Sequence, residues 1–198
     1  MDDWLKLFDA ISVREKTGVD ILDSLGLKGI EVVDPVLLLT RAAWETFCNT
    51  KIGVERKRYL LVYDLFLNDA RLEKEAKRLS TEYNLKIISV DASRKCTFAD
   101  KNISNAGPKE FVKLIAEAEY VVTNSFHATV FSIIFNKKFS VFYKYSNISR
   151  ISDILNTLGI GKQLNPNIPK YNFNWDKINY TLNEIRDNSY NFIFSTIK

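Results

Sequence analysis

The chain has 198 residues, 46% hydrophobic and 26% charged, a composition that suits one soluble globular domain spanning residues 1–198. Its 28 basic and 24 acidic residues leave a net charge of +4 without a dense Lys/Arg run, which argues against nucleic acid as a partner. The longest apolar runs, such as Pro35 to Leu39 and Ile133 to Phe135, fall far short of the roughly 20 residues that cross a bilayer, so no transmembrane segment is expected.

In chain order, short β-rich runs alternate with helical patterns. Strands are predicted at Ile11 to Val13, Glu31 to Val33, Tyr59 to Tyr63, Lys86 to Val90, Tyr120 to Thr123 and Phe139 to Phe142. Between Asp69 and Tyr83, the residues Leu72, Ala76, Leu79 and Tyr83 recur at helical spacing, with Glu and Lys on the opposite face. From Pro108 to Ala118, a proline suited to the first turn is followed by the stripe Phe111, Ile115, Ala118. Gly18, Gly26, Gly29 and Gly159 are placed at helix or turn ends. Residues 165–174 are rich in Asn and Pro and read as a surface connection, and Trp175 to Ile197 as a terminal helix or helical pair. Repeated β-α units predict a Rossmann-like three-layer α/β/α domain with a mostly parallel sheet.

In such a sheet, ligands bind outside the carboxyl ends of the strands, where β-α loops and helix N-termini converge. The richest strand end is Thr123-Asn124-Ser125-Phe126-His127, followed by the nearly all-apolar run Ala128 to Phe135. Ser125 is suited to cap that helix, its first-turn N–H groups would form an anion site, and His127 would stand in the first turn as an acid or base. A lone histidine near a helix start also serves as a hydrogen-bonded structural residue, and residue chemistry alone leaves both roles open. Arg14, after the first strand, could grip a phosphate or carboxylate through two parallel hydrogen bonds, or pair with Glu15 or another carboxylate. Asp34-Pro35 reads as a turn with an Asx-type bond. Arg94 could meet an anion or remain a solvated loop charge. No dinucleotide fingerprint, P-loop or G-x-S-x-G elbow occurs.

Ile11-Ser12-Val13-Arg14-Glu15, Asp34-Pro35-Val36, Tyr59 to Asp64, Gly107-Pro108-Lys109-Glu110-Phe111 and Val122 to Thr129 follow one another in an order that resembles the polysaccharide pyruvyltransferases. Asn147-Ile148-Ser149-Arg150-Ile151 with Leu158-Gly159 resembles the family's next block. Ala128 stands where the family usually has glycine. The resemblance implies the C-terminal domain of a GT-B-like enzyme, a missing N-terminal domain, and a truncated piece that binds donor but transfers nothing alone. In GT-B proteins, an element placed like the segment after Trp175 packs back toward the other domain. The implied reaction, in bacterial surface or exopolysaccharide biosynthesis, moves the pyruvyl group of phosphoenolpyruvate (PEP) to two hydroxyls of a sugar or lipid-linked oligosaccharide as a ketal. His127 would be the acid/base, with Arg14, Ser125, Asn124, Thr123 and Arg94 as substrate-binding residues. PEP is the donor substrate, and no cofactor is required. A GT-B-type glycosyltransferase using a nucleotide sugar, or a non-catalytic module of the same fold, are the alternatives.

Cys48 and Cys96 lack thiol or histidine neighbours at ligand spacing and His127 is the single histidine, so no metal is expected. The acidic start Met1-Asp2-Asp3-Trp4 is unlike a secretory signal, which predicts a cytoplasmic protein, at most peripheral at the inner face of the membrane.

Overall fold

The structure, a computed structural model, describes residues 2–51, 58–65, 69–91, 93–143 and 149–196. Asn147 and Ile148 of the resembling block, and Ile197 at the end of the terminal segment, lie outside the described residues. In chain order the elements are α1 (Asp2–Leu5), β1 (Ser12–Val13), α2 (Lys16–Ser24), β2 (Ile30–Glu31), α3 (Pro35–Leu38), α4 (Arg41–Phe47), β3 (Tyr59–Tyr63) and α5 (Ala70–Tyr83). There follow β4 (Lys86–Val90), β5 (Lys101–Ile103), α6 (Pro108–Glu117), β6 (Tyr120–Thr123), α7 (Phe126–Ile134), β7 (Lys138–Val141), α8 (Ser149–Thr157) and α9 (Trp175–Thr196). Where the sequence reads as one domain, contacts gather the chain into two compact units. One comprises Met1–Leu38, Asn147–Gly161 and Asn174–Lys198, and the other Leu39–Ser146 and Lys162–Phe173.

The second unit is built on a five-stranded, all-parallel sheet in the order β5-β4-β3-β6-β7. The chain runs outward from β3 through β4 to β5, then restarts on the other side with β6 and β7, so the topological switch point lies between β3 and β6. On one face, Leu60, Val62, Ile87, Tyr120 and Val122 pack with Leu72, Ala76 and Leu79 of α5 in a buried cluster. Strand alternation sends Leu61, Ile88 and Val121 to the other face, which α6 and α7 cover. Every residue from Ala128 to Ile134 of α7 is buried, which explains why its sequence has no polar face. This is the expected Rossmann-like α/β/α fold.

Its central strands follow the apolar runs residue for residue at β3, β4 and β6, while three features differ from expectation. The edge strand β5 carries Lys101 and Asn102, no apolar alternation announces it, and it exists through its pairing with β4. The ladder of β7 begins one residue early, since Lys138 pairs with Tyr120 and lays its ammonium 5.2 Å from the centre of that ring. The connection at 165–174 lies at the surface as expected, with none of its residues buried, but it is pinned to the sheet unit at three points that the sequence did not announce. Asn165 N–H donates to the Val141 carbonyl (2.7 Å), Tyr171 donates to Glu75 (2.6 Å) and stands edge-on to Tyr120, and Phe173 stacks on Phe139.

In the first unit, β1 and β2 pair with each other as a separate two-stranded parallel sheet, rather than joining the large one. The expected strand at Glu31 to Val33 ends early because Val33 N–H turns to the Ser189 hydroxyl (3.0 Å). Gly26 and Gly159 adopt φ +70 just past α2 and α8, as helix-ending residues do. Gly18 instead lies inside α2, where a Cβ would come within 3.0 Å of Val13. Its requirement is close packing of helix on strand. The terminal segment is one helix, α9, which buries the stripe Ile178, Leu182, Arg186 and Ser189. Arg186 and Tyr190 donate to the carbonyls of Leu37 and Leu38 that end α3. Among the described residues, no helix is long and apolar enough to cross a membrane.

Candidate functional site

The loops after β3 and β6 meet at the switch point, and two fully buried polar side chains join them. Thr123 donates its hydroxyl to the Tyr63 carbonyl (2.6 Å) and accepts Ser125 N–H (3.0 Å). Asn124 accepts Leu65 N–H at Oδ1 (2.8 Å) and donates from Nδ2 to the buried Asp64 carboxylate (2.5 Å). Ser125 then caps α7, accepting Ala128 N–H at 3.4 Å. Thr123 and Asn124, expected to bind substrate, thus engage the neighbouring loop and do not line the cleft that opens beside them. Their placement has a physical reason: a buried hydroxyl or amide must find partners, and the carbonyl and N–H groups at the end of β3 are the nearest.

That cleft has a volume of about 730 Å³ and lies within the second unit. Ser125 and His127 enter it from the start of α7, Gly107 and Pro108 from the start of α6, and Tyr63 from the end of β3. Two helix N-termini therefore open on one cavity, which favours an anion there. His127 is solvent-exposed, stands edge-on to Phe126 at 5.4 Å, and has no hydrogen-bond partner among the described residues.

The loop after β4 supplies the charged wall. Asp91 Oδ1 accepts the N–H groups of Ser93 (2.7 Å) and Arg94 (3.0 Å) and the Ser93 hydroxyl (3.0 Å). Burial lifts the Asp91 carboxyl, but these hydrogen bonds and the Arg94 charge outweigh it and hold the group below its ordinary value. Arg94 pairs with Asp91 (3.5 Å) and donates to the Leu65 carbonyl (2.7 Å), with its side chain still 45% exposed. Burial, aided by the Asp91 charge, raises the Tyr63 phenol, so its hydroxyl stays a neutral donor.

Aromatic rings form the remaining wall, and sequence reasoning missed it. Trp44 stands edge-on to Phe131 (4.9 Å) and to Phe47 (5.3 Å), and Phe111 edge-on to Tyr63 (4.8 Å). The available signal was Thr40, which caps α4 and brings Trp44 and Phe47 onto one face three residues apart. Among the described residues, no group of three or more His, Cys, Asp or Glu could hold a metal ion.

Arg14 belongs to the first unit, where its guanidinium pairs with the buried Asp34 carboxylate at 2.5 Å. Arg14 thus forms an ion pair, with a partner other than Glu15, through one guanidinium nitrogen of a side chain that stays 44% exposed. Asp34 also accepts Val36 N–H (3.0 Å), the expected Asx-type turn into α3. Glu15 is occupied by Arg150 (2.9 Å) and the Ser149 hydroxyl (2.7 Å).

The arrangement is that of a parallel α/β protein with an anion-favouring cleft at its switch point, and a model of the polysaccharide pyruvyl transferase family matches residues 1–145. The chain belongs to that family. No curated protein matches it significantly. The stretch matched as polysaccharide pyruvyl transferase contains β1 to β7 and α1 to α7 of the described residues, and every expected site residue from Arg14 to His127.

Proposed function

We propose that this polysaccharide pyruvyl transferase chain binds PEP in the cleft at the carboxyl end of its large sheet and moves the pyruvyl group to two hydroxyls of a sugar, forming a ketal. The observation that carries the reading is His127. It is an exposed imidazole without a hydrogen-bond partner among the described residues, in the first turn of α7, on a cavity bordered by two helix N-termini. Family membership supports a sugar acceptor and a PEP-type donor.

The chemistry divides into proton movements that one imidazole can serve. Protonated His127 delivers a proton to the PEP methylene carbon, and positive charge develops at C2. A sugar hydroxyl attacks C2 and loses its proton to the imidazole, phosphate departs with the C–O bond electrons, and the second hydroxyl closes the ketal with loss of its own proton. One proton ends on the methyl carbon and the other accompanies phosphate. Arg94 and the N-terminus of α7 behind Ser125 would hold the anionic groups of PEP, since charge-assisted hydrogen bonds to oxyanions are strong.

His127→Ala is expected to abolish phosphate release from PEP in the full-length enzyme while its thermal unfolding stays unchanged, because the imidazole is exposed. Wild-type turnover in that variant would refute the assignment. Calorimetry with PEP and UDP side by side separates pyruvyl transfer from nucleotide-sugar chemistry: PEP is expected to bind, and binding of UDP alone would overturn the reading.

A further inference from the structure

The cleft is larger and more aromatic than PEP requires. PEP, with roughly ten non-hydrogen atoms, would leave most of a 730 Å³ cleft empty, a size that ordinarily holds a drug-sized ligand. Its aromatic wall is continuous: Phe47 meets Trp44, Trp44 meets Phe131, Phe131 meets Phe111, and Phe111 meets Tyr63, in successive edge-to-face contacts of 5.3, 4.9, 6.3 and 4.8 Å. Phe131 is 5% exposed and anchors the wall in the core, while Phe47 is 40% exposed and Trp44, Tyr63 and Phe111 are each partly open to solvent. Four solvent-accessible rings locked by one buried ring make a preorganised surface that keeps apolar area in water until something covers it.

We propose that this wall, with Trp44 and Phe47 at its open end, is the platform on which a pyranose ring of the acceptor lies, a placement that rests on the pyruvyl-transfer reading of the same cleft. A pyranose has an apolar face of C–H groups and a rim of hydroxyls. The C–H face suits the electron-rich faces of indole and phenyl rings. For the rim, the cleft offers the neutral Tyr63 hydroxyl and the exposed Ser93 hydroxyl. Lys109, whose ammonium sits 5.5 Å from the centre of the Phe47 ring, adds a donor at the open end. His127 lines the same cavity as these rings, so a sugar seated on them shares one space with the proposed acid/base.

The test is saturation-transfer NMR on the full-length enzyme with methyl glycosides of galactose, glucose and mannose, and with UMP in a parallel arm. The C–H protons of one face of at least one glycoside are expected to take up saturation. Phe47→Ala and Trp44→Leu should each weaken that glycoside about tenfold. PEP binding measured on the same variants should stay at the wild-type level, which also reports that they are folded. Phe47 is the safer variant, being the most exposed ring. No sugar saturation in the wild type, saturation indifferent to both substitutions, or saturation confined to the uracil protons of UMP would each overturn the platform. Loss of PEP binding in the wild type with the sugar signals intact would remove the donor reading and leave the platform standing.

Discussion

At Asp91, three donors converge on one carboxylate oxygen, two backbone N–H groups and a hydroxyl, with an arginine at the other oxygen. The folded carboxyl is held below its ordinary value of 3.8, so the ionised form is favoured by folding. Its contribution is complete above that ordinary value and is lost as pH falls through the lower folded value. Asp91→Asn is therefore expected to lower the thermal midpoint at neutral pH, with the difference from wild type shrinking below about pH 4. A gap of the same size at pH 3 would show that the charge is not what orders this loop. The sequence exposed Arg94 as a charge that could meet an anion or remain solvated. It could not reveal that Arg94 would spend part of its guanidinium on the Leu65 carbonyl, because that partner is 29 residues away.

At the scale of elements, the β3 and β6 loops are tied by Asn124, whose amide serves one backbone group and one carboxylate. Asn124→Ala would leave Leu65 N–H and Asp64 each short of a buried partner. Urea unfolding is expected to show a loss of roughly 2–3 kcal/mol with an unchanged denaturant slope. A loss below about 0.5 kcal/mol would mean the loops are held by other contacts. The strands this amide joins were legible, since Tyr59 to Tyr63 and Tyr120 to Val122 are unbroken aliphatic and aromatic runs, as strands covered on both faces must be. The neighbouring helix α7 was legible for the same reason. The edge strand β5 was not, because an edge needs no apolar side chains, and only the backbone of β4 decides where Lys101 to Ile103 will pair.

For the molecule as a whole, the chain order and the spatial order differ. The sheet unit takes its last piece, Lys162–Phe173, from beyond α8. That piece adds the bridge from Leu164 to Val141, the Tyr171 hydroxyl on Glu75, and the Phe173 ring on Phe139. Burial and the Glu75 hydrogen bond both raise the Tyr171 phenol, which is a neutral donor throughout the physiological range. A piece spanning residues 39–146 is expected to unfold at lower urea than one spanning 39–173, by at least about 2 kcal/mol from the lost aromatic burial alone. Equal midpoints would show that the strap is dispensable. The sequence by itself determined the α/β class, the central strands, the capped helix carrying His127 and the resemblance to pyruvyltransferases, all of which rest on local periodicity and short ordered strings. Tertiary structure decided the rest: the separate pairing of β1 with β2, the return of the 162–173 strap, the occupation of Thr123 and Asn124 by the neighbouring loop, the Arg14–Asp34 pair and the aromatic wall. Each joins residues distant in the chain, and such contacts leave no period in a sequence, because they form only once the sheet has brought their partners within reach.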